Sequence, residues 1–236
     1  MSASPKNRKN RSLVVFDVEG IIIPKNRFLV FEMSRKAGFF SFVRIVLLGL
    51  LYEVGALSLE YTLKKIFQLF KGIPANEVLD LNKNVPFMPG TEEVFKKLNE
   101  TGYKTALISS GLPTQVVQEL AATLQADYAY GIDLEVYNGV LTGRIESELT
   151  KKGAKAGVLK HILENEKLTP KDCVVVADDR NNLSMFPLSD LHIGYNPDFL
   201  LTAKSDFITR GDLTATARLM AVYEFRASLI HSYRIS

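Results

Sequence analysis

The chain has 236 residues, 47% of them hydrophobic and 23% charged, enough to build one large core with or without a smaller lid. Its 29 basic and 26 acidic residues leave a net charge of +3, too balanced to point to nucleic acid as a partner. A single cysteine, Cys173, excludes an intrachain disulfide, and three scattered histidines (His161, His192, His231) give no zinc-like cluster.

The densest positive charge is KNRKNR, Lys6 to Arg11, set among Ser, Pro and Asn. Residues 1–11 therefore read as a solvated, disordered basic tail, for which an anionic membrane surface is the alternative partner. The tail runs straight into the first core segment with no secretory signal, which together with the lone cysteine suits a reducing cytoplasm.

SLVVFDVEGIII follows. Leu13 to Phe16 is a short apolar run that ends in Asp17, with Glu19 two residues on and then Gly20. Such a run predicts a buried parallel strand. Acids at the C-terminal end of that strand stand where open α/β sheets bind ligands. Two carboxylates one residue apart can face one crevice if Gly20 lets the chain turn. One can then serve as nucleophile or metal ligand and the other as general acid/base; the plainer reading is two surface acids.

Residues 25–86 read as a small helical domain inserted after this strand. FFSFVRIVLLGLLYEV, Phe39 to Val54, falls short of the roughly 20 uninterrupted apolar residues that span a bilayer. LSLEYTLKKIFQLF places Leu59, Leu63, Ile66 and Phe70 at helical spacing behind Ser58 as N-cap. The apolar stripe of this insert is expected to pack as core.

Residues 12–24 and 87–236 are assigned to the main domain. Thr91, Glu92 and Glu93 open a helix that Gly102 closes. YKTALISSG reads as a second buried strand ending at Ser109, Ser110 and Gly111, and LPTQVVQELAATL as the helix returning from it. Around Asn138-Gly139 the period changes to two, a hairpin signal. KAGVLKHILENE is helical, and DCVVVADD is a strand ending in Asp178 and Asp179. LHIGYNP and DFITRGD look like short final strands, with a terminal helix over LTATARLMAVYEFRASLI. Strands alternating with helices predict an α/β fold, a Rossmann-like parallel sheet with helices on both faces.

Four polar groups thus fall after strands or at a helix start: Asp17 with Glu19, Ser109 with Ser110, Lys155, and Asp178 with Asp179, Asn181 and Asn182. A phosphoryl group needs this set. A carboxylate attacks phosphorus, a lysine and a divalent cation neutralise the nonbridging oxygens, a hydroxyl and backbone N–H groups hold them, and a second carboxylate protonates the leaving oxygen. Oxygen ligands without His or Cys favour magnesium.

With these motifs in order, roughly residues 12 to 215 resemble the haloacid dehalogenase superfamily of phosphohydrolases, especially its phosphoserine-phosphatase branch. The resemblance implies Asp17 as nucleophile, Glu19 as acid/base, and Ser109 as the phosphate-binding hydroxyl beside Ser110 and Gly111. It implies Lys155 as the phosphate-binding lysine, 23 residues before Asp178, with Lys151 and Lys152 as nearby competitors. Metal ligation by Asp17, Glu19 through its main-chain carbonyl, Asp178 and Asn182, with Mg2+ as cofactor, follows in the same way, and the insert occupies the place of the branch's cap.

Several positions depart from the family pattern. Glu19 replaces the usual Asp, Asn182 a usual acid, Asp179 a usual small residue, and Asn26 the substrate-gripping Glu nine residues after the nucleophile. The expected function is a magnesium-dependent phosphatase acting on a small-molecule phosphate ester, phosphoserine-like or more apolar, even a lipid phosphate at a membrane surface. A catalytically weakened binding or regulatory protein and a phosphotransferase are the alternatives.

Overall fold

A computed structural model describes residues 13–25, 38–82 and 85–222. The basic tail, Asn26 and the expected end of the terminal helix beyond residue 222 lie outside them.

Six parallel strands form one sheet in the order β3-β2-β1-β6-β7-β8. They are β1 (Leu13–Asp17), β2 (Lys104–Pro113), β3 (Tyr128–Ile132), β6 (Cys173–Ala177), β7 (Leu191–Tyr195) and β8 (Phe207–Thr209). Every residue of β1 is buried, as a central strand covered on both faces requires. Register then brings the chemistry together. Asp17 pairs with Ile108, one residue before Ser109, and Phe16 pairs with Val176, two residues before Asp178. β1 and β6 end at this edge, and β2 passes through it with a register shift between Ile108 and Pro113.

Helices α4 (Thr91–Glu100), α5 (Thr114–Leu124) and α6 (Ala154–Glu166) bury one apolar side each. Phe16 of the sheet meets Phe95 of α4 with ring centroids 4.8 Å apart. A last helix, α8, covers residues 214–222, after the single-turn α7 (Phe199–Thr202). Cys173 is buried at the start of β6, and burial pushes its thiol up to about 12, so it packs as a small apolar residue.

Among the described residues, three helices stand between β1 and α4: α1 (Phe39–Glu53), α2 (Leu59–Gln68) and α3 (Ala75–Asn82). In α2 the expected stripe holds. Leu63, Ile66 and Phe67 are buried, Phe70 just beyond is too, and the Ser58 hydroxyl accepts from the Tyr61 N–H at 3.2 Å. In α1 the expectation of a packed core fails. Only Ile45 is buried, while Phe39 (75%), Phe40 (84%), Leu50 (59%) and Val54 (77%) are exposed. The helix is apolar all round, and one side is all that the underlying elements cover. Among the described residues no helix is long and apolar enough to cross a membrane.

The hairpin forms from β4 (Leu134–Tyr137) and β5 (Val140–Ile145), with Asn138 and Gly139 both at positive φ, as a primed turn demands. It also joins the insert. Gly72 N–H donates to Leu141 O at 2.8 Å, Leu141 N–H to Ile73 O at 2.8 Å, and Ala75 N–H to Gly139 O at 2.9 Å. Gly143 is required at this junction, because its φ is +84° and a Cβ there would lie 3.1 Å from Gln68 Cα and Phe67 O.

Candidate active site

Asp17 is the last residue of β1, and one of its oxygens accepts from the Val18 N–H at 2.8 Å. The chain then turns tightly. The Ile22 and Ile23 N–H groups both reach back to Val18 O, and Gly20 N–H donates to Ile23 O at 2.7 Å. Gly20 has φ +89°, and a Cβ on it would sit 2.2 Å from Asp178 Oδ2. Only glycine lets the turn lie against the acid delivered by β6.

The turn points Glu19 to β2, where the Ser109 hydroxyl donates to Glu19 Oε2 at 2.8 Å. The same hydroxyl accepts from the N–H groups of Gly111 (3.1 Å) and Leu112 (2.8 Å). Ser109 does not open a helix, since β2 runs on to Pro113 and α5 begins only at Thr114. The hydroxyl therefore organises an extended turn whose Ser110 and Gly111 line the cavity over Asp17. Burial, and next the charge of Asp17, push the Glu19 carboxyl up to about 7.

Of the three candidate lysines, Lys155 takes the site. It is 4% exposed, and its Nζ lies 2.8 Å from Asp17 Oδ1 and donates to Asn182 Oδ1, also at 2.8 Å. Lys151 and Lys152 are exposed, and Lys151 pairs with Glu148 instead. Burial alone would lower the pKa of Lys155; the carboxylates of Asp17 and Asp179 outweigh it and raise it.

Asp178 and Asp179 follow β6. Asp17, Asp178 and Asp179 each offer an oxygen, and these atoms all lie within 4.8 Å of one another. Burial, then the charges of Asp17 and Asp179, push Asp178 up to about 8. Its Oδ1 is buried with no hydrogen-bond partner, while Oδ2 holds the ammonium of Lys25 at 2.6 Å. Lys25 also reaches Asp179 at 3.3 Å. An orphaned buried oxygen, an all-oxygen donor set and a cluster already attracting an ammonium fit a hard divalent cation such as magnesium.

Asn182 Oδ1 accepts from Lys155 Nζ at 2.8 Å. Its Nδ2 donates to Asp17 Oδ2, so the amide bridges nucleophile and lysine. Asp179, grouped with Asp178 in the sequence, is the third acid of the cluster, and it caps the 3-10 turn of Arg180–Leu188 by accepting from the Asn181 N–H at 3.0 Å. Lys25 was missed altogether; a lone lysine past an apolar turn carries no spacing signal.

A cavity of about 380 Å³ lies over these groups. Its floor is charged, and its wall is built by α1 and α2, including Ile45, Gly49, Leu63 and Ile66. The turn after β6 grips α1: Arg180 Nη2 donates to Tyr52 O at 2.8 Å, its guanidinium stacks over the Tyr52 ring at 5.2 Å, and Asn181 Nδ2 donates to the Tyr52 hydroxyl.

The profile of haloacid dehalogenase-like hydrolases matches residues 14–186. The phosphoserine phosphatase of Methanocaldococcus jannaschii is 32% identical over 206 residues, covering 87% of this chain and 95% of that one. A structure described as a phospho-aspartyl intermediate analogue of phosphoserine phosphatase superposes with a TM-score of 0.80 at 30% identity, over 89% of this chain and 99% of the other. A substrate-bound phosphoserine phosphatase complex gives 0.81 at 29% identity, over 90% and 99%. The convergence of Asp17, Ser109, Lys155 and Asp178 on one sheet edge has its explanation there: the chain belongs to the haloacid dehalogenase-like hydrolases, in their phosphoserine-phosphatase-like branch.

Proposed function

We propose that the chain is a magnesium-dependent phosphomonoester phosphatase working through an aspartyl-phosphate. The observation that carries this reading is the pairing of Asp17, held 2.8 Å from Lys155, with Glu19, whose carboxyl is pushed up to about 7 two residues away. One group lies against an ammonium, and the other can hold a proton near neutral pH.

An Asp17 oxygen attacks phosphorus in line with the ester bond, which breaks as the Asp17–phosphorus bond forms. Protonated Glu19 gives its proton to the departing alkoxide, releasing the alcohol. As a carboxylate it then takes a proton from water, whose oxygen attacks phosphorus, and Asp17 and inorganic phosphate are freed. Lys155, the Ser109 hydroxyl and the Ser110–Gly111 turn would take the nonbridging oxygens. Asp17, Asp178 and the Glu19 main-chain carbonyl would hold magnesium, with Asp179 within reach. The ion would supply positive charge against the oxygens of the transferring group. Residues 25–86 would act as the cap over the main domain (12–24 and 87–236), shielding the reaction from water.

The relatives named phosphoserine phosphatases support a small phosphate ester as substrate. The direct test is hydrolysis of amino-acid, sugar and lipid phosphates with magnesium and with EDTA, beside Asp17→Asn. Magnesium-dependent turnover abolished in the variant is expected; appreciable activity remaining in Asp17→Asn removes it as nucleophile. The neutral Asn182 favours a second reading, a weakened regulatory protein, which predicts no turnover of any ester by the folded chain. Transfer of the phosphoryl group to an acceptor alcohol instead of water would appear in the same assay as a new ester.

A further inference from the structure

The wall of the cavity carries information that its floor does not. Apart from Glu19, which is held by the Ser109 hydroxyl, the charged groups of the floor are matched to one another: Lys155 to Asp17, and Lys25 to Asp178 and Asp179. A phosphorylated amino acid would need, besides these, a cation for its carboxylate and an anion for its ammonium. Among the described residues that α1 and α2 turn to the cavity, the sole charged side chain is Glu53, and it is exposed. The others are aliphatic, glycine, the Tyr52 ring and Thr62. The lysines of α2, Lys64 and Lys65, are exposed and do not line the cavity.

Two further features bear on what fits there. Gly49 sits on the cavity side of α1 with nothing within 4 Å of where a Cβ would be, so the helix leaves open space at that point. Leu50 both lines the cavity and is 59% exposed, so the apolar lining continues onto the uncovered face of α1.

We infer that the leaving group of the substrate is a predominantly aliphatic alcohol, making the preferred substrate a phosphate monoester of a long-chain alcohol. This rests on the phosphatase reading above. The phosphate seats on the Asp17–Lys155 floor, and the chain runs along the α1–α2 wall. Both a free amphiphile and a lipid held in a bilayer have this chemistry.

The test is turnover of methyl, butyl and octyl phosphate, O-phosphoserine, and phosphatidic acid in phosphatidylcholine vesicles, with p-nitrophenyl phosphate as control. In the soluble series kcat/KM should rise about fourfold per methylene until the cavity is filled. Octyl phosphate should exceed O-phosphoserine by at least about a hundredfold, the product of three to four such steps. Gly49→Leu, a better helix former placed in the open space, should cut the octyl-to-methyl ratio by about tenfold or more. Preference for octyl phosphate identifies a free amphiphile, and preference for phosphatidic acid over octyl phosphate identifies the bilayer as source; both support the inference. Equal rates along the series, or O-phosphoserine as the best substrate, overturn it while leaving the phosphatase intact. If even p-nitrophenyl phosphate is untouched, the phosphatase reading fails. Calorimetric binding of octylphosphonate against methylphosphonate then decides the cavity separately, with tighter octyl binding supporting it and equal binding overturning it.

Discussion

The hydroxyl of Ser109 donates to Glu19 across 2.8 Å while accepting two backbone N–H groups, so one oxygen ties the acid/base residue to the irregular end of β2. All three partners are buried or nearly so, and none has water to fall back on. Ser109→Ala should therefore lower the unfolding free energy by about 1–3 kcal/mol. Urea unfolding followed by circular dichroism reads this directly, and a loss within error of zero would mean that water replaces the hydroxyl.

Glu19 can be separated from Ser109 by chemistry. Glu19→Gln keeps an oxygen to accept from Ser109 but cannot carry a proton. Turnover should fall by about 10²–10⁴-fold. With p-nitrophenyl phosphate, whose leaving group needs no proton, Asp17 should still be phosphorylated, and the stranded intermediate should appear in the intact mass. An unmodified mass under turnover conditions would assign the proton transfer elsewhere.

Stability should depend on pH in an uncommon direction. Glu19 rises from 4.5 to about 7 and Asp178 from 3.8 to about 8 in the folded chain. Both folded pKa values are raised, so the folded state binds more protons than the unfolded one between these limits. Their contribution is full below about pH 4 and is lost as pH climbs through 7 and 8. The melting temperature of magnesium-free protein should fall from pH 5.5 to 8.5, and magnesium should reverse the loss most strongly at the upper end. A melting temperature rising across that range in EDTA would contradict the assignment.

Lys25 competes for the acidic cluster, at 2.6 Å from Asp178 and 3.3 Å from Asp179. The carboxylates outweigh the burial that would lower its pKa and raise it, so it stays charged at working pH. Lys25→Met should lower the half-saturating magnesium concentration about three- to tenfold, a coupling of the order seen between neighbouring charges. Isothermal titration with magnesium measures it without any substrate.

Arg180 holds α1 through the Tyr52 carbonyl and ring. Arg180→Ala should cost about 1 kcal/mol of closure, mostly as a KM raised severalfold, with a small change in melting temperature. A change confined to kcat would move Arg180 from the wall to the reaction itself.

Much of this was legible in the sequence because buried parallel strands are written as apolar runs, and the residue ending each run marks the ligand edge. Asp17, Ser109 and Asp178 were found that way. Lys155 could have been chosen over Lys151 and Lys152 by helical phase, since it shares the buried side of α6 with Leu159 and Ile162. Other features depend on contacts between distant segments. Lys25 meets Asp178 only once the turn at Gly20 is built, and Asn182 faces inward only because the 3-10 turn of Arg180–Leu188 aims it at Asp17. The exposure of α1 was misjudged for the same reason, as hydrophobicity does not say how many sides of a helix have neighbours.

The backbone bonds between the β4–β5 hairpin and Gly72, Ile73 and Ala75 also define a mechanical unit. Any opening of the cavity wall must either carry the hairpin along or break those bonds, so the moving body is larger than the inserted helices. Its hinges then include the short connections after Ile132 and Ile145, in chain sequentially remote from α1 and α2. A stiffer or looser tip at Asn138-Gly139, which touches no substrate, would be felt as a change in how fast the alcohol product leaves.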